Sequence, residues 1–166
     1  MDRAYTDVVG PNENVQTVYV RVVFVRVRSG QPELLMQELD NGHFQFPGGV
    51  YKPSDGDAIE ALVRELSEET KARPRFLRTL RTVDLLYGSQ LFVMNWRGNR
   101  DVCFVLRWEG GYRDLSIGKD AETVQTLWVG IPTVLNCRRR LYRNTRCTIS
   151  YILRMLPNWP DITEGV

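Results

Sequence analysis

Apolar residues crowd one early stretch of the chain and then settle into two different rhythms. Over residues 15–28, Val18, Val20, Val22, Val23, Val25 and Val27 leave little room for polar positions. That density of β-branched side chains predicts a long central strand. Ser29-Gly30-Gln31-Pro32 predicts a turn, residues 33–39 a second strand, and Asp40-Asn41-Gly42 another turn. Phe44-Gln45-Phe46 then leads into Pro47-Gly48-Gly49. Beyond Asp57 the period changes. Ile59, Leu62, Val63 and Leu66 fall at i, i+3, i+4 and i+7, the single apolar stripe of a helix over residues 57–72. Asp57 and Glu60 have the spacing of a capping box, which starts that helix near Ala58.

Strand-like runs return over residues 75–86, 91–96 and 101–108, punctuated by Gly88-Ser89 and Gly98-Asn99. A Gly110-Gly111 loop precedes a strand at 126–129, a helix from about Thr133, and a second helix ending near Leu156. Strands before and after one helix, then terminal helices, predict an α/β sandwich rather than a βαβ dinucleotide-binding repeat. Residues 1–14 read as a flexible N-terminal arm, 15–160 as a single domain and 161–166 as a short C-terminal tail.

Composition adds exclusions more than assignments. The balance of 22 basic and 20 acidic residues removes a generic polyanion-binding chain while leaving local basic patches open. Cys103, Cys137 and Cys147 lie at none of the short spacings used by zinc or dithiol sites, so they read as buried or half-buried free thiols of a reducing compartment. His43 is the one histidine, which removes any site needing two. The N-terminus has no apolar signal core, and the valine-rich stretch is broken by Arg21 and Arg26 and too short to span a bilayer. A cytoplasmic protein with no membrane association is the expectation.

Chemistry concentrates in the helix. Glu65, Glu68 and Glu69 stand at i, i+3 and i+4, so their carboxylates gather on one patch that flanks the apolar stripe. That patch belongs at the rim where helix meets sheet. Like charges this close repel by a few tenths of a kcal/mol each, a cost that folding does not require. A hard divalent cation removes it, and Mg²⁺ in particular takes one or two carboxylates and leaves its other positions to water and phosphate. Glu60–Arg64 and Arg64–Glu68 are also spaced as ordinary i,i+4 ion pairs, the purely structural use of the same residues.

The preceding loop decides between these uses. Gly49 followed by Arg64-Glu65-Leu66-Ser67-Glu68-Glu69 resembles the Nudix box, written G-x5-E-x7-R-E-U-x-E-E-x-G-U with U a bulky apolar residue. The resemblance implies a Nudix-type α/β/α sandwich with a mixed central sheet and a loop–helix–loop metal site. It implies Glu65, Glu68 and Glu69 as metal ligands and base candidates, Gly49 as the donor of a backbone carbonyl, and Arg64 as the residue that orients the acidic cluster. The cofactor implied is Mg²⁺ or Mn²⁺. Two departures stand out: the loop is one residue longer, with Asp55 or Asp57 replacing the first box glutamate, and Lys71 replaces the last glycine, followed by Ala72.

The resemblance implies a nucleotide pyrophosphatase, a hydrolase that cuts a phosphoanhydride bond in a nucleoside diphosphate-linked substrate. Nucleotides, nucleotide sugars, ADP-ribose, dinucleoside polyphosphates and an RNA cap are all in range. The alternative is a catalytically retired Nudix fold that binds nucleotide, RNA or protein. Phe44, on the strand entering the box, is a candidate to stack on a base, and Glu122, in the loop before Trp128, is a candidate extra carboxylate. Arg138, Arg139, Arg140, Arg143 and Arg146 make the most basic run, which could grip RNA or read simply as a solvated face. Relatives of this type are often dimers, so the resemblance leaves a homodimer possible without setting the oligomeric state.

Overall fold

The computed structural model describes residues 15–69, 90–108 and 123–155. Their strands are β1 (Thr17–Arg28), β2 (Gln31–Leu39), β3 (Phe44–Gln45), β4 (Gly48–Val50), β5 (Gln90–Trp96), β6 (Asn99–Arg107) and β7 (Thr123–Gly130). The helices are α1 (Ala58–Glu69), α2 (Ile131–Asn136) and α3 (Arg143–Met155), with single 3₁₀ turns at Pro53–Asp55 and Arg138–Arg140. All seven strands join one mixed sheet in the order β3-β2-β1-β6-β5, with β4 alongside β1 and β7 alongside β2.

The valine-rich segment is central, as its composition predicts. On one side β1 runs parallel to β6, from Thr17↔Asn99 to Val25↔Arg107. On the other side its edge is divided. Residues 25–28 pair with β2, while Tyr19, Val20 and Arg21 pair with Val50, Gly49 and Gly48 of β4. A bond donated by the Val22 amide to the Pro47 carbonyl (2.9 Å) closes the junction. The β1–β2 hairpin turns on Ser29 (φ 51°) and Gly30 (φ 72°), and the β5–β6 hairpin on Arg97 (φ 43°) and Gly98 (φ 76°). Two successive positive φ values match the right-handed twist of the flanking strands.

Alternation explains the near-continuous apolar run. Val20, Val22 and Phe24 of β1 join Leu35, Val102, Phe104, Leu106 and the α1 residues Ala58, Ala61, Leu62, Val63 and Leu66 in one buried cluster. Val23 and Val25 point the other way, into a cluster with Leu34, Met36, Val105, Ile131, Val134, Ile149 and Ile152. Both faces are therefore covered, α1 on one and α2 with α3 on the other, which is the α/β/α sandwich expected. Each fully buried leucine or isoleucine contributes roughly 1.5–3 kcal/mol.

One buried charge ties α3 to the sheet. Asp101, 1% exposed, accepts bonds from Trp96 Nε1 (2.7 Å), Asn144 Nδ2 (3.0 Å) and Arg21 Nε (3.4 Å). Cys103 is buried beside Thr148, and burial first, then the Asp101 charge, pushes its thiol up to about 12. Cys137 is half-buried, but Cys147 is exposed, against the expectation of three sheltered thiols. It sits on the outward side of α3, where nothing in the core requires it. No helix among the described residues is long and apolar enough to cross a membrane. The 1–14 arm, the 75–86 strand and the 161–166 tail of the sequence reading lie outside the described residues.

Candidate functional site

The site is assembled where β4 passes under the first turns of α1. Two glycines make that approach feasible. Gly48 has φ 141°, and a Cβ there would lie within 2.9 Å of three backbone atoms of Val20 and Arg21. Gly49 has no room for a different reason: a Cβ would come within 2.6 Å of all three atoms of the Glu65 carboxyl group. The carboxylate thus rests on the bare Gly49 backbone.

Between β4 and α1 the loop uses its acids in two distinct ways. Asp57 is the helix cap: its Oδ1 accepts from the Glu60 amide (2.8 Å), and α1 begins at Ala58. Asp55 closes the 3₁₀ turn, with Oδ2 accepting from the Lys52 amide (2.7 Å), and then faces Arg64. Gly56 separates the two with φ 85°, a conformation that favours glycine.

Arg64 is the organising side chain. Its Nε and one terminal nitrogen donate to Asp55 Oδ1 (2.6 Å) and Oδ2 (2.9 Å), a bidentate pair. The other terminal nitrogen donates to Glu65 Oε1 (2.6 Å) and lies 3.7 Å from Glu68 Oε2. A further bond reaches the Val50 carbonyl (2.8 Å), so one guanidinium joins β4, the loop and α1. The Arg64 bonds, opposed by burial and helped by the Lys52 amide, hold the Asp55 carboxyl below its ordinary range. Reciprocally, the Asp55 bond first, then Glu65, raises the affinity of Arg64 for its proton.

Of the residues singled out from sequence, Gly49, Arg64, Glu65 and Glu68 come together here. Glu65 is at the rim, 13% exposed, and Glu68 is 58% exposed, the reach expected of acids that flank an apolar stripe. Glu69 closes α1, and its side chain lies outside the described part, as do Glu122, Lys71 and Ala72. Phe44 is placed elsewhere. It is buried in the cluster under α2 and α3, with the Arg140 guanidinium 4.5 Å from its ring centroid. Sequence reasoning did not reach the Val50 carbonyl or Gly48; a glycine pair directly after a strand was the signal available.

The donors suit a hard divalent cation. They are all oxygens, Glu65 rests in a cradle that any Cβ at Gly49 would fill, and Glu68 is left largely to solvent. Among the described residues no three His, Cys, Asp or Glu side chains stand close enough together to hold a metal ion by themselves, and the Glu69 side chain is outside them. Mg²⁺ takes one or two carboxylates and keeps water and substrate oxygens for the rest of its shell. Beside the acids, a depression of about 410 Å³ is lined by Ser54, Asp55, Arg64, Ser67 and Glu68 among others.

A family model described as a NUDIX domain matches residues 16–145. No curated protein matches the chain. Among solved structures it is similar to the NUDIX domain of Shewanella oneidensis NrtR complexed with ADP ribose, at 17% identity and TM-score 0.62, covering 94% of this chain and 99% of that one. It is similar to a C. elegans Ap4A hydrolase binary complex at 14% identity and TM-score 0.58, covering 86% and 99%. A bifunctional NMN adenylyltransferase/ADP ribose pyrophosphatase from Francisella tularensis, complexed with AMP and a Mn ion, shares 17% identity at TM-score 0.61, covering 88% of this chain and 43% of that one. At such identities these likenesses speak for the fold.

Proposed function

The chain belongs to the Nudix hydrolase family, and on that footing we propose that it is a Mg²⁺- or Mn²⁺-dependent pyrophosphohydrolase of nucleoside diphosphate-linked compounds. The observation that carries this reading is the Glu65 carboxylate lying on the bare backbone of Gly49, pinned there by Arg64. A fold that needed only the apolar stripe of α1 would have no use for it.

In this reading Gly49, Glu65, Glu68 and Glu69 hold the cation. When bound, it supplies the positive charge that polarises phosphate oxygens and makes water more acidic. Arg64 fixes the rotamer of Glu65 and does not touch substrate. Glu65, Glu68 and Glu69 are the carboxylates that would take the proton of the attacking water; one Glu65 oxygen, Oε1, already accepts from Arg64. Asp55 serves the role of the first box acid by anchoring Arg64, and Asp57 serves only the helix. Glu122 as an extra carboxylate and Phe44 as a base-stacking residue remain proposals for substitution experiments; burial of Phe44 supports a packing role. Homodimer formation, left open by the resemblance, is measured directly by light scattering.

The competing reading, a nucleotide-binding module without turnover, has one observation in its favour: the same Arg64 bond that orders Glu65 also occupies one of its oxygens. One experiment separates them. The protein is incubated with Mg²⁺ or Mn²⁺ and a panel of ADP-ribose, diadenosine tetraphosphate, nucleotide sugars, nucleoside triphosphates and capped RNA, and products are read by mass. Cleavage that falls at least about 100-fold in Glu68→Gln and in Glu69→Gln supports hydrolysis, the loss exceeding what an outer-shell change costs. A protein that gains thermal stability with millimolar metal yet cleaves none of the panel is the binding module.

A further inference from the structure

The face of the sheet opposite α1 carries a second charged feature that hydrolysis does not use. From Ile131 to Met155 the sequence holds Arg138, Arg139, Arg140, Arg143, Arg146 and Arg154 and no aspartate or glutamate. Arg140 is committed to the fold: it bonds Glu38 Oε1 (2.5 Å) and the Gly42 carbonyl (2.6 Å) and covers Phe44. Arg138, Arg143 and Arg146 have no acidic partner among the described residues.

These unpaired cations share a groove of about 510 Å³ with Arg154. Arg143, Arg146, Cys147, Ser150 and Arg154 recur at i, i+3, i+4, i+7 and i+11, so they lie along a single face of α3. The small Cys147 and Ser150 leave a trough between the arginines. From Arg143 to Arg154 it runs about 16 Å along the helix axis, room for an extended chain carrying several charges. Arginine forks grip phosphate with paired bonds, which lysine cannot do, and no lysine takes part.

Three polyanions suit such a groove, and the surroundings choose among them. Tyr142, between Arg140 and Arg143, is 39% exposed and stacks on His43 with ring centroids 4.7 Å apart and planes 17° from parallel. Its position is held by the Asn41 amide, which donates to the Tyr142 hydroxyl (2.9 Å). A fixed, flat, half-exposed ring at the N-terminal end of that row, adjoining the groove rather than lining it, suits an unpaired base, and an acidic peptide has no need of it. A membrane surface needs exposed leucine, phenylalanine or tryptophan to insert, and among the described residues α3 exposes none. We propose that the α3 groove binds the backbone of a single-stranded nucleic acid, its arginines on successive phosphates and Tyr142 under a base.

The test uses the whole chain in EDTA, so that no turnover intervenes, with a fluorescent 20-mer of uridine followed by anisotropy. Four phosphate contacts give a log–log salt slope of about −3, a fall of roughly 50-fold in affinity between 50 and 200 mM salt. Arg143→Glu with Arg146→Glu weakens binding at least 10-fold, and Tyr142→Ala about 5-fold or more. The milder pair Arg143→Gln with Arg146→Gln is measured alongside, and retained melting temperatures confirm folding. Absence of oligonucleotide binding by the wild type overturns the proposal. So does binding that none of these substitutions weakens, or a polyglutamate peptide or anionic vesicle that binds more tightly than the oligonucleotide. Inorganic polyphosphate binding as well as the oligonucleotide, with Tyr142→Ala without effect, reduces the groove to a bare anion site and also overturns it.

Discussion

α1 and α3 are almost the same length, 12 and 13 residues, and each lays an apolar stripe on one face of the same sheet. Their outward sides differ. α1 gathers Glu65 and Glu68 around one arginine, and every short bond of Arg64 is spoken for. α3 spreads arginines along a helix that has no acid of its own. Folding accounts for the buried stripes in both cases and for neither outward side. The difference separates two kinds of charge: one set held in fixed geometry by a network, the other left open to solvent. Fixed geometry is what a chemical step requires, and open charge is what a long flexible anion meets.

The comparison breaks most sharply at the glycines. Gly49→Ala should lower hydrolysis by about 10–100-fold, in the range for displacing a metal-site group. The nearest atoms its added carbon meets belong to the end of the Glu65 side chain, which can swing aside, so the melting temperature should barely move. Gly48→Ala should do the reverse in kind, because its carbon meets the Val20 backbone. A loss of about 2–3 kcal/mol in urea unfolding is expected there. Equal effects on stability at the two positions would sink the idea that Gly49 is kept for the carboxylate.

Arg64→Lys comes next in size. It keeps the charge but cannot span Asp55 Oδ1 and Oδ2, Glu65 and the Val50 carbonyl together. About 1–2 kcal/mol of stability should go with those charged bonds. Activity should fall through kcat more than KM, since Arg64 positions a ligand and leaves substrate alone.

Acid should expose the same network. The Asp55 carboxyl is held below its ordinary 3.8, chiefly by Arg64 and then by the Lys52 amide. Its contribution is therefore complete above about pH 4 and is lost as pH falls through the lower folded value. The gap in melting temperature between wild type and Asp55→Asn should be constant near neutrality and shrink below that point. A gap that widens in acid would show that another group governs. Smallest of all, Arg143→Ala should change stability by no more than about 0.5 kcal/mol, as expected of an exposed side chain without a partner among the described residues.

What could be read from sequence follows the range of the interactions. The valine strand, the α1 stripe and the i, i+3, i+4 acids are local patterns, and each is where its spacing puts it. The loop acids were harder. Asp55 and Asp57 are two residues apart, and only the bend at Gly56 sends one to Arg64, nine residues ahead, and leaves the other as a cap. Phe44 was singled out because an aromatic residue enters the box. Its fate was decided by Arg140, 96 positions away in sequence, which closes over the ring. The Asp101–Asn144 anchor, 43 residues apart, left no local signature either.

The division of β1 between two partners also bears on how the chain reaches this state. Its hairpin with β2 closes through two residues and can form in microseconds. Its parallel pairing with β6 joins Val20 to Val102 and must wait for a large loop to close. Gly48 and Gly49 dock on that same half of β1, the half that faces β6. That pairing joins Val20 to Gly49 across the other edge of β1, a shorter loop than the one to β6, so the floor under Glu65 forms after the hairpin and ahead of the β6 pairing. Recovery of metal-dependent stabilisation should lag behind the first recovery of strand signal, because the carboxylate has no floor until β4 has joined β1.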